Sequence, residues 1–218
     1  MLLPMMTYSQ SSTDYDNWLY EGDKSITEYT IPDGVKVIGD EAFMNCENLT
    51  SITIPESVEV IGASAFELCA SLKTVFIPKN VKEIKGCAFS SCYSLQGFEV
   101  DKVNPYFTTI AGVLFSHDKT KLICCPNKNE YTIPSGTKTI GYYSFQGCKD
   151  MTSVTIPKSV EVIEDGAFSI CNGLTTITIP NSVKEIGSAA FWKSENLQTV
   201  NLPNSITEIK MSTFEGCI

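Results

Sequence analysis

Apolar and polar positions recur with a spacing of 23 residues along most of this chain. In the stretch LTSITIPESVEVIGASAFELC, residues 49–69, Leu49 is followed by Ile52 and Ile54, which alternate with polar residues. Alternation with a period of two is typical of a strand that is buried on one face. Pro55 follows directly, and proline has no N–H to give to a strand ladder. The pattern therefore predicts a short strand that ends at the proline.

The rest of the same repeat predicts two further short elements. Val58 and Ile61 form a second apolar segment, which is compatible with a second strand, and Gly62 then allows a turn. The segment ASAFELC that follows predicts about one helical turn, with Phe66 and Cys69 facing inward. One repeat of this kind is too small to enclose a core, so neighbouring repeats must stack and bury their apolar residues together.

The prolines place the repeats along the chain. Pro32, Pro55 and Pro78 are spaced by 23, and a second series with the same spacing begins at Pro134. The chain therefore divides into eight coils, and the fourth, residues 95–127, has 33 residues, ten more than the others. The coils start at Ile26, Leu49, Leu72, Leu95, Lys128, Met151, Leu174 and Leu197. A period of this length predicts an α/β-type leucine-rich repeat solenoid, mostly strand and turn, with a parallel sheet on its concave face.

Two columns of side chains run through the predicted stack and form a continuous core. The phenylalanine column consists of Phe43, Phe66, Phe89, Phe145, Phe168, Phe191 and Phe214. The cysteine column consists of Cys46, Cys69, Cys92, Cys148, Cys171 and Cys217, with Ser194 in the one remaining regular place. Stacked side chains point the same way and buried cysteine behaves as a small apolar residue, so we expect free thiols.

The fourth coil departs from this pattern. Asp101 stands where the other coils have proline, and the alanine–phenylalanine turn is missing. Its segment GVLFSHDKTKLICC, residues 112–125, predicts two strands around a polar turn at residues 117–120. We expect a β-hairpin that either projects from the solenoid or widens it.

Residues 1–25 lie outside the repeat, whereas residues 26–218 form the predicted solenoid. The lead is polar and acidic and contains Trp18 between two nearby tyrosines. It is either a disordered lead with a short segment at residues 18–20 that covers the open edge of coil one, or a linker from another domain.

The repeat resembles the BspA-like leucine-rich repeat family. The stretches ITIPESVEVIGASAF and ITIPNSVKEIGSAAF carry the resemblance, and it extends over residues 26–218. The resemblance implies a curved solenoid displayed at a cell surface or secreted, which adheres to host proteins or to other cells. It implies no catalytic residues, because the family has no catalytic set to transfer.

Charge and candidate chemistry narrow the possible functions. The formal net charge is −9 and the pI about 4.7, which disfavours nucleic acid and anionic lipid as partners. No apolar run is long enough for a spanning helix, and the opening MLLPMM is too short for a secretory signal. The single histidine, His117, falls in the predicted hairpin turn without a nucleophile placed beside it. We therefore predict no enzyme activity, no cofactor and no metal site.

The outward positions of the predicted concave sheet are the remaining candidate for a site. Ten of the sixteen are serine or threonine, a composition that suits a solvent-facing strand, a partner platform or, less well, an ice-binding array. Phe76 is the one large apolar exception, and Glu99 lies beside it in the next coil. We therefore predict a binding patch at Phe76, Glu99, Thr74 and Thr53.

The sequence as a whole predicts a non-enzymatic interaction module. Its expected partner is a host protein or a glycan bound through the concave face at a cell surface or after secretion. An intracellular protein-binding scaffold is the alternative, which free thiols would favour.

Overall fold

A computed structural model describes residues 17–20 and 22–217, and these residues wind into a β-solenoid of about eight coils. Each of the eight coils contributes one three- or four-residue strand to a front sheet. The strands of the front sheet are β1 (Glu28–Thr30), β3 (Ser51–Thr53), β5 (Thr74–Ile77), β7 (Gly97–Val100), β11 (Glu130–Thr132), β13 (Ser153–Thr155), β15 (Thr176–Thr178) and β17 (Thr199–Asn201). They pair in parallel as β1–β3, β5–β7, β11–β13 and β15–β17, with partners 23 residues apart in all four pairs (Glu28 with Ser51, for example).

A second ladder of two-residue strands forms behind the front sheet. Its regular members are β2 (Val37–Ile38), β4 (Val60–Ile61), β6 (Glu83–Ile84), β12 (Thr139–Ile140), β14 (Val162–Ile163) and β16 (Glu185–Ile186). The second apolar segment of each regular repeat is thus a strand in six coils. Three strands of this ladder pair as β2–β4–β6, and the ladder then stops.

After its front strand β7, the long coil supplies three further strands, where a regular coil supplies at most one. They are β8 (Phe107–Ile110), β9 (Val113–Ser116) and β10 (Lys121–Cys124). The two strands predicted around residues 117–120 are confirmed as β9 and β10, whereas β8 was missed. The hairpin does not project, because β10 pairs in parallel with β12 and so joins the second ladder, in the order β16–β14–β12–β10–β9–β8.

The third side of each regular coil is a turn face, which occupies residues 62–69 in coil two. The predicted helical turn at this place is wrong, and the described residues contain no helix. Ser64 and Leu68 have φ angles of 53° and 61°, in the left-handed region that ends a helix. The Phe66 N–H, which a helix would direct to its own chain, instead donates to the Ala88 carbonyl of the next coil at 2.8 Å. Hydrogen bonding between coils therefore replaces hydrogen bonding within a helix.

The phenylalanine column is buried as predicted except at Phe214, which is half-buried, and it runs in two segments. Neighbouring rings stack at centroid distances of 4.8–5.5 Å from Phe43 to Phe89 and again from Phe145 to Phe214. The expected continuous core is likewise divided into two clusters of buried side chains that meet at the long coil. Strand β9 serves both clusters, because Leu114 packs in the first and its neighbours Val113 and Phe115 pack in the second.

The start of the described chain lies against coil one. The Trp18 N–H donates to the Val37 carbonyl at 2.9 Å, and its ring centroid is 5.6 Å from that of Phe43. Trp18 thus occupies the place that a preceding coil would take beside β2. Residues 1–16 and 21 of the predicted lead lie outside the described residues.

Candidate functional site: the front face beside the long coil

The front sheet presents its alternate residues to solvent, as the period-two pattern predicts. Fifteen of the sixteen outward positions are exposed, and Gly97 is half-buried. The residues between them, such as Ile52 and Ile177, are buried under the sheet. Hydroxyl groups therefore cover most of this face, and the large side chains on it stand out from a flat surface.

The four predicted site residues lie together on this face. Thr74 and Phe76 are the two outward residues of β5, and their neighbours Val75 and Ile77 are fully buried. Phe76 pairs across the ladder with Glu99 of β7, and Thr53 occupies the equivalent position one coil earlier. Phe76 remains 48% exposed, so the hairpin does not fold back over it. The structure thus brings the patch together and leaves its aromatic ring accessible.

The regular sheet is interrupted directly beside this patch. On the far side of β7, the Phe98 N–H donates to the carbonyl of Gly112 at 2.9 Å. The turn between β8 and β9 thus takes the place of a neighbouring strand. Glycine at both positions allows this close approach, because a Cβ at Gly97 would lie 3.2 Å from the Gly112 Cα. The patch consequently has an irregular edge built from backbone.

The loop after β7 adds two exposed apolar side chains that the sequence did not reveal. Val103 is 70% exposed and Tyr106 is 48% exposed. Buried Asn104 holds the loop in place, because its side-chain amide donates to the carbonyls of Pro78 (2.8 Å) and Val81 (3.0 Å). The replacement of proline by Asp101 was the one sequence signal of this loop, and it did not indicate which side chains the loop exposes.

Charges are distributed unequally between the faces. The outward positions of the front sheet carry three carboxylates, at Glu28, Glu99 and Glu130, and no lysine or arginine. Lysine–glutamate pairs lie instead along the second ladder, where Glu161 accepts hydrogen bonds from Lys184 and Lys138, each at 2.9 Å. These ammonium groups lower the pKa of Glu161 to about 2. The front face therefore offers a partner hydroxyl groups, carboxylates and one aromatic ring.

The cysteine column has a hydrogen-bonding role that sequence reasoning missed. All nine cysteines are free thiols in the structure. The Cys171 thiol donates to the Phe145 carbonyl at 3.1 Å, and the same bond recurs at Cys69, Cys92 and Cys217. Ser194 makes it with a hydroxyl, at 2.7 Å from the Phe168 carbonyl oxygen. This shared bond explains why serine substitutes in the column. Burial raises the pKa of the Cys69 thiol to about 12, so the column is poorly nucleophilic.

Candidate catalytic and metal-binding side chains lie apart from one another in the described part of the chain. His117 is exposed in the turn between β9 and β10. Asp118 beside it organises that turn, because its carboxylate accepts hydrogen bonds from the Ser116 hydroxyl (2.6 Å) and from Thr120. No group of three or more histidine, cysteine or acidic side chains within residues 17–20 and 22–217 has a metal-binding arrangement. None of the described residues forms a helix long and apolar enough to cross a membrane.

Solved structures of bacterial leucine-rich repeat proteins are similar to this chain. A leucine-rich cell surface protein from Faecalibacterium prausnitzii matches 88% of this chain and 57% of its own, with 25% identity and a TM-score of 0.68. A leucine-rich repeat protein from Eubacterium ventriosum matches 95% of this chain and 68% of its own, with the same identity and TM-score. The pneumococcal vaccine antigen PcpA matches 86% of this chain and 57% of its own, with 25% identity and a TM-score of 0.66.

The chain therefore spans 57–68% of the length of these three structures. Among curated proteins, no sequence matches. The family comparison is direct: the BspA-type leucine-rich repeat region matches residues 13–130 and 118–218, with six copies. Those two matches together cover residues 13–218 and so include the whole solenoid, and the chain belongs to the BspA-type leucine-rich repeat family.

Proposed function

We propose that this chain is a non-enzymatic interaction module of a cell-surface or secreted adhesin-like protein. It binds a protein or a glycan through the front face beside the long coil. Membership in the BspA-type family and similarity to a bacterial cell surface protein support this proposal. The observation that carries the site is the exposure of Phe76 on a sheet whose other outward positions are mostly small hydroxyl residues.

Phe76 is suited to be the energetic centre of such an interface. Interface free energy is concentrated in a few large side chains, and aromatic residues are frequent among them. Serine and threonine around Phe76 supply hydrogen-bonding groups and a flat surround. Glu99 adds a carboxylate beside the ring, and Val103 and Tyr106 extend the exposed apolar surface onto the adjacent loop.

A binding array of glycans and host proteins, probed with the purified chain, tests this function. The change Phe76→Ser should weaken a bound partner by about 2 kcal/mol or more, which is about 30-fold. It should leave the free energy of unfolding within about 0.5 kcal/mol, as exposed substitutions do. Thr178→Ala is the matched control, because Thr178 holds the equivalent outward position in a coil far from the loop. Equal effects of the two changes on binding would refute the site.

The alternative function is an intracellular protein-binding scaffold. Nine free thiols favour it, since reducing compartments keep cysteines in this state. An antibody against this chain separates the two, because a surface module is labelled on intact cells, a secreted module is detected in the medium, and a scaffold is detected only after permeabilisation.

A further inference from the structure

A cavity of about 150 Å³ lies between the turn faces of coils three and five. The long coil between them has no turn face of its own, so the stack has a gap where one layer is missing. Residues that line this gap include Gly86, Cys87, Phe89, Ser90, Cys124 and Tyr143. We call this space the turn-face cavity. It is separate from the front patch, and the inference below does not depend on the proposed function.

The wall formed by coil three has backbone donors without acceptors. In coil two, the N–H groups of Ser64 and Phe66 donate to the carbonyls of the next coil, at 3.2 and 2.8 Å. The equivalent N–H groups of coil three belong to Cys87 and Phe89. Neither donates to any group within residues 17–20 and 22–217. Since the equivalent groups point along the stack, these two N–H groups face the gap toward coil five.

On the opposite wall, which coil five forms, a backbone carbonyl lacks a donor. Asp165 holds the position in coil six that Tyr142 holds in coil five. The Asp165 carbonyl accepts a hydrogen bond from the Tyr143 N–H of the preceding coil, as carbonyls at this position do in regular coils. The Tyr142 carbonyl accepts none from the described part of the chain. Ser90, which is 4% exposed and lines the cavity, also has an unpartnered hydroxyl. Phe89 and Ser90 are buried, Cys87 is half-buried and Tyr142 is 51% exposed, so the cavity offers a ligand two donors and an acceptor that are partly withdrawn from solvent.

The charges around the cavity decide the class of ligand. Two lysines line it, but Lys85 pairs with Asp40 at 3.3 Å and Lys121 pairs with Glu164 at 2.7 Å. A carboxylate would therefore enter without an unpaired cation to compensate its desolvation. A neutral ligand is favoured, with an acceptor for the coil-three N–H groups and a donor for the Tyr142 carbonyl. Ile84, Ile123 and the Phe89 ring supply apolar walls for its body.

We propose that the turn-face cavity binds a small neutral amide. The amide carbonyl accepts from the Cys87 N–H, beside that of Phe89, and the amide N–H donates to the Tyr142 carbonyl, which restores the ladder that is interrupted at this position. The volume suits a ligand with an apolar body close to the size of benzene, since a comparable engineered cavity of about 150 Å³ binds that molecule.

Backbone NMR of the intact chain with probes of equal size tests the proposal. Butanamide carries the acceptor and the donor, 2-pentanone carries only the acceptor, and butanoate is charged. We expect butanamide to shift the N–H signals of Cys87 and Phe89, with a dissociation constant of about 1 mM or weaker. The other two probes should bind about fivefold more weakly or not at all, because each leaves the Tyr142 carbonyl without a donor. Equal binding of all three, or no shift at Cys87 and Phe89, overturns the proposal.

Hydrogen exchange of the free protein tests whether the backbone N–H groups of Cys87 and Phe89 lack acceptors. The N–H groups of Cys87 and Phe89 should exchange faster than those of Tyr143 and Phe145, which hold the same positions but are bonded to coil six. Butanamide should slow the first pair and leave the second pair unchanged. Equal protection of the two pairs in the free protein would mean that the donors are not available.

Ser90→Ala and Ser169→Ala form a matched pair of variants. Both hydroxyls are buried and unpartnered at equivalent positions, but only Ser90 lines the cavity. Ser90→Ala should weaken butanamide binding severalfold and Ser169→Ala should not change it; equal effects contradict a role for the Ser90 hydroxyl. N-acetylglucosamine, which carries an acetamido group, is a second probe that distinguishes the source of the amide. If N-acetylglucosamine and butanamide both shift the Cys87 and Phe89 signals, the amide belongs to the acetamido group of a larger molecule. If butanamide alone shifts them, the ligand is a free small amide.

Discussion

The change Phe168→Ala tests whether stacking between coils holds the second half of the solenoid together. Phe168 is fully buried, and its ring stacks on Phe145 at 4.8 Å and on Phe191 at 5.5 Å. Truncation of a buried phenylalanine costs about 3–5 kcal/mol of unfolding free energy. Each aromatic pair accounts for about 0.5–1.5 kcal/mol beyond the buried area, so the two lost stacks contribute about 1–3 kcal/mol of that total.

Phe214→Ala is the control for this prediction. Phe214 is half-buried and has one stacked neighbour, Phe191, at 5.4 Å, so its truncation should cost about half as much. Urea unfolding followed by circular dichroism measures both variants, and an unchanged slope shows that the same surface is exposed on unfolding. Equal costs, or a loss below about 1 kcal/mol for Phe168→Ala, would refute the argument from stacking.

Three further predictions address the backbone, the cysteine column and the ion pairs. Gly187→Ala should destabilise by about 1–3 kcal/mol, because its Cβ would lie 2.4 Å from the Asp165 backbone nitrogen; Gly86→Ala, with 3.8 Å of clearance, should be nearly neutral in the same urea assay. Cys171→Ser should cost less than Cys171→Val, because serine keeps a donor for the buried carbonyl; the reverse order in thermal unfolding would contradict this. Glu161 has a folded pKa of about 2 against 4.5 ordinarily, so its contribution is present above pH 4.5 and is lost as the pH falls through about 2. Glu161→Gln should flatten the acid limb of stability against pH, and an unchanged acid limb would exclude that contribution.

The sequence predicted those features that repeat in every coil. Alternation at Ile52 and Ile54, with the proline behind them, indicated the front strands and their outward residues, and the structure confirms this. The phenylalanine column was predictable for the same reason, because phenylalanines that recur at one position of the repeat lie above one another in successive coils and stack. The position of Phe76 on the outward face follows from the same alternation.

Features that depend on contacts between coils could not be read from one repeat. The segment ASAFELC has helix-forming residues, yet the neighbouring coils accept its N–H groups and hold Ser64 and Leu68 at positive φ. Intrinsic propensity is weak over so few residues, and tertiary hydrogen bonds override it. The thiol–carbonyl bond of the cysteine column was missed similarly, since its acceptor lies 26 residues earlier, in the preceding coil.

The long coil concentrates the departures from regularity, and this explains why both candidate sites lie beside it. A regular solenoid satisfies its backbone groups coil by coil and leaves a uniform surface. When the fourth coil replaces its turn face with β8, β9 and β10, the front sheet gains an irregular edge at Gly112. The turn faces on either side lose their bonding partners at Cys87, Phe89 and Tyr142. The additional residues of the fourth coil therefore give rise to both candidate sites. The front patch at Phe76 and the turn-face cavity lie on different faces of the solenoid beside this coil. Variants at Phe76 and Ser90 should consequently affect binding independently of each other, and a coupled loss of both would contradict this separation.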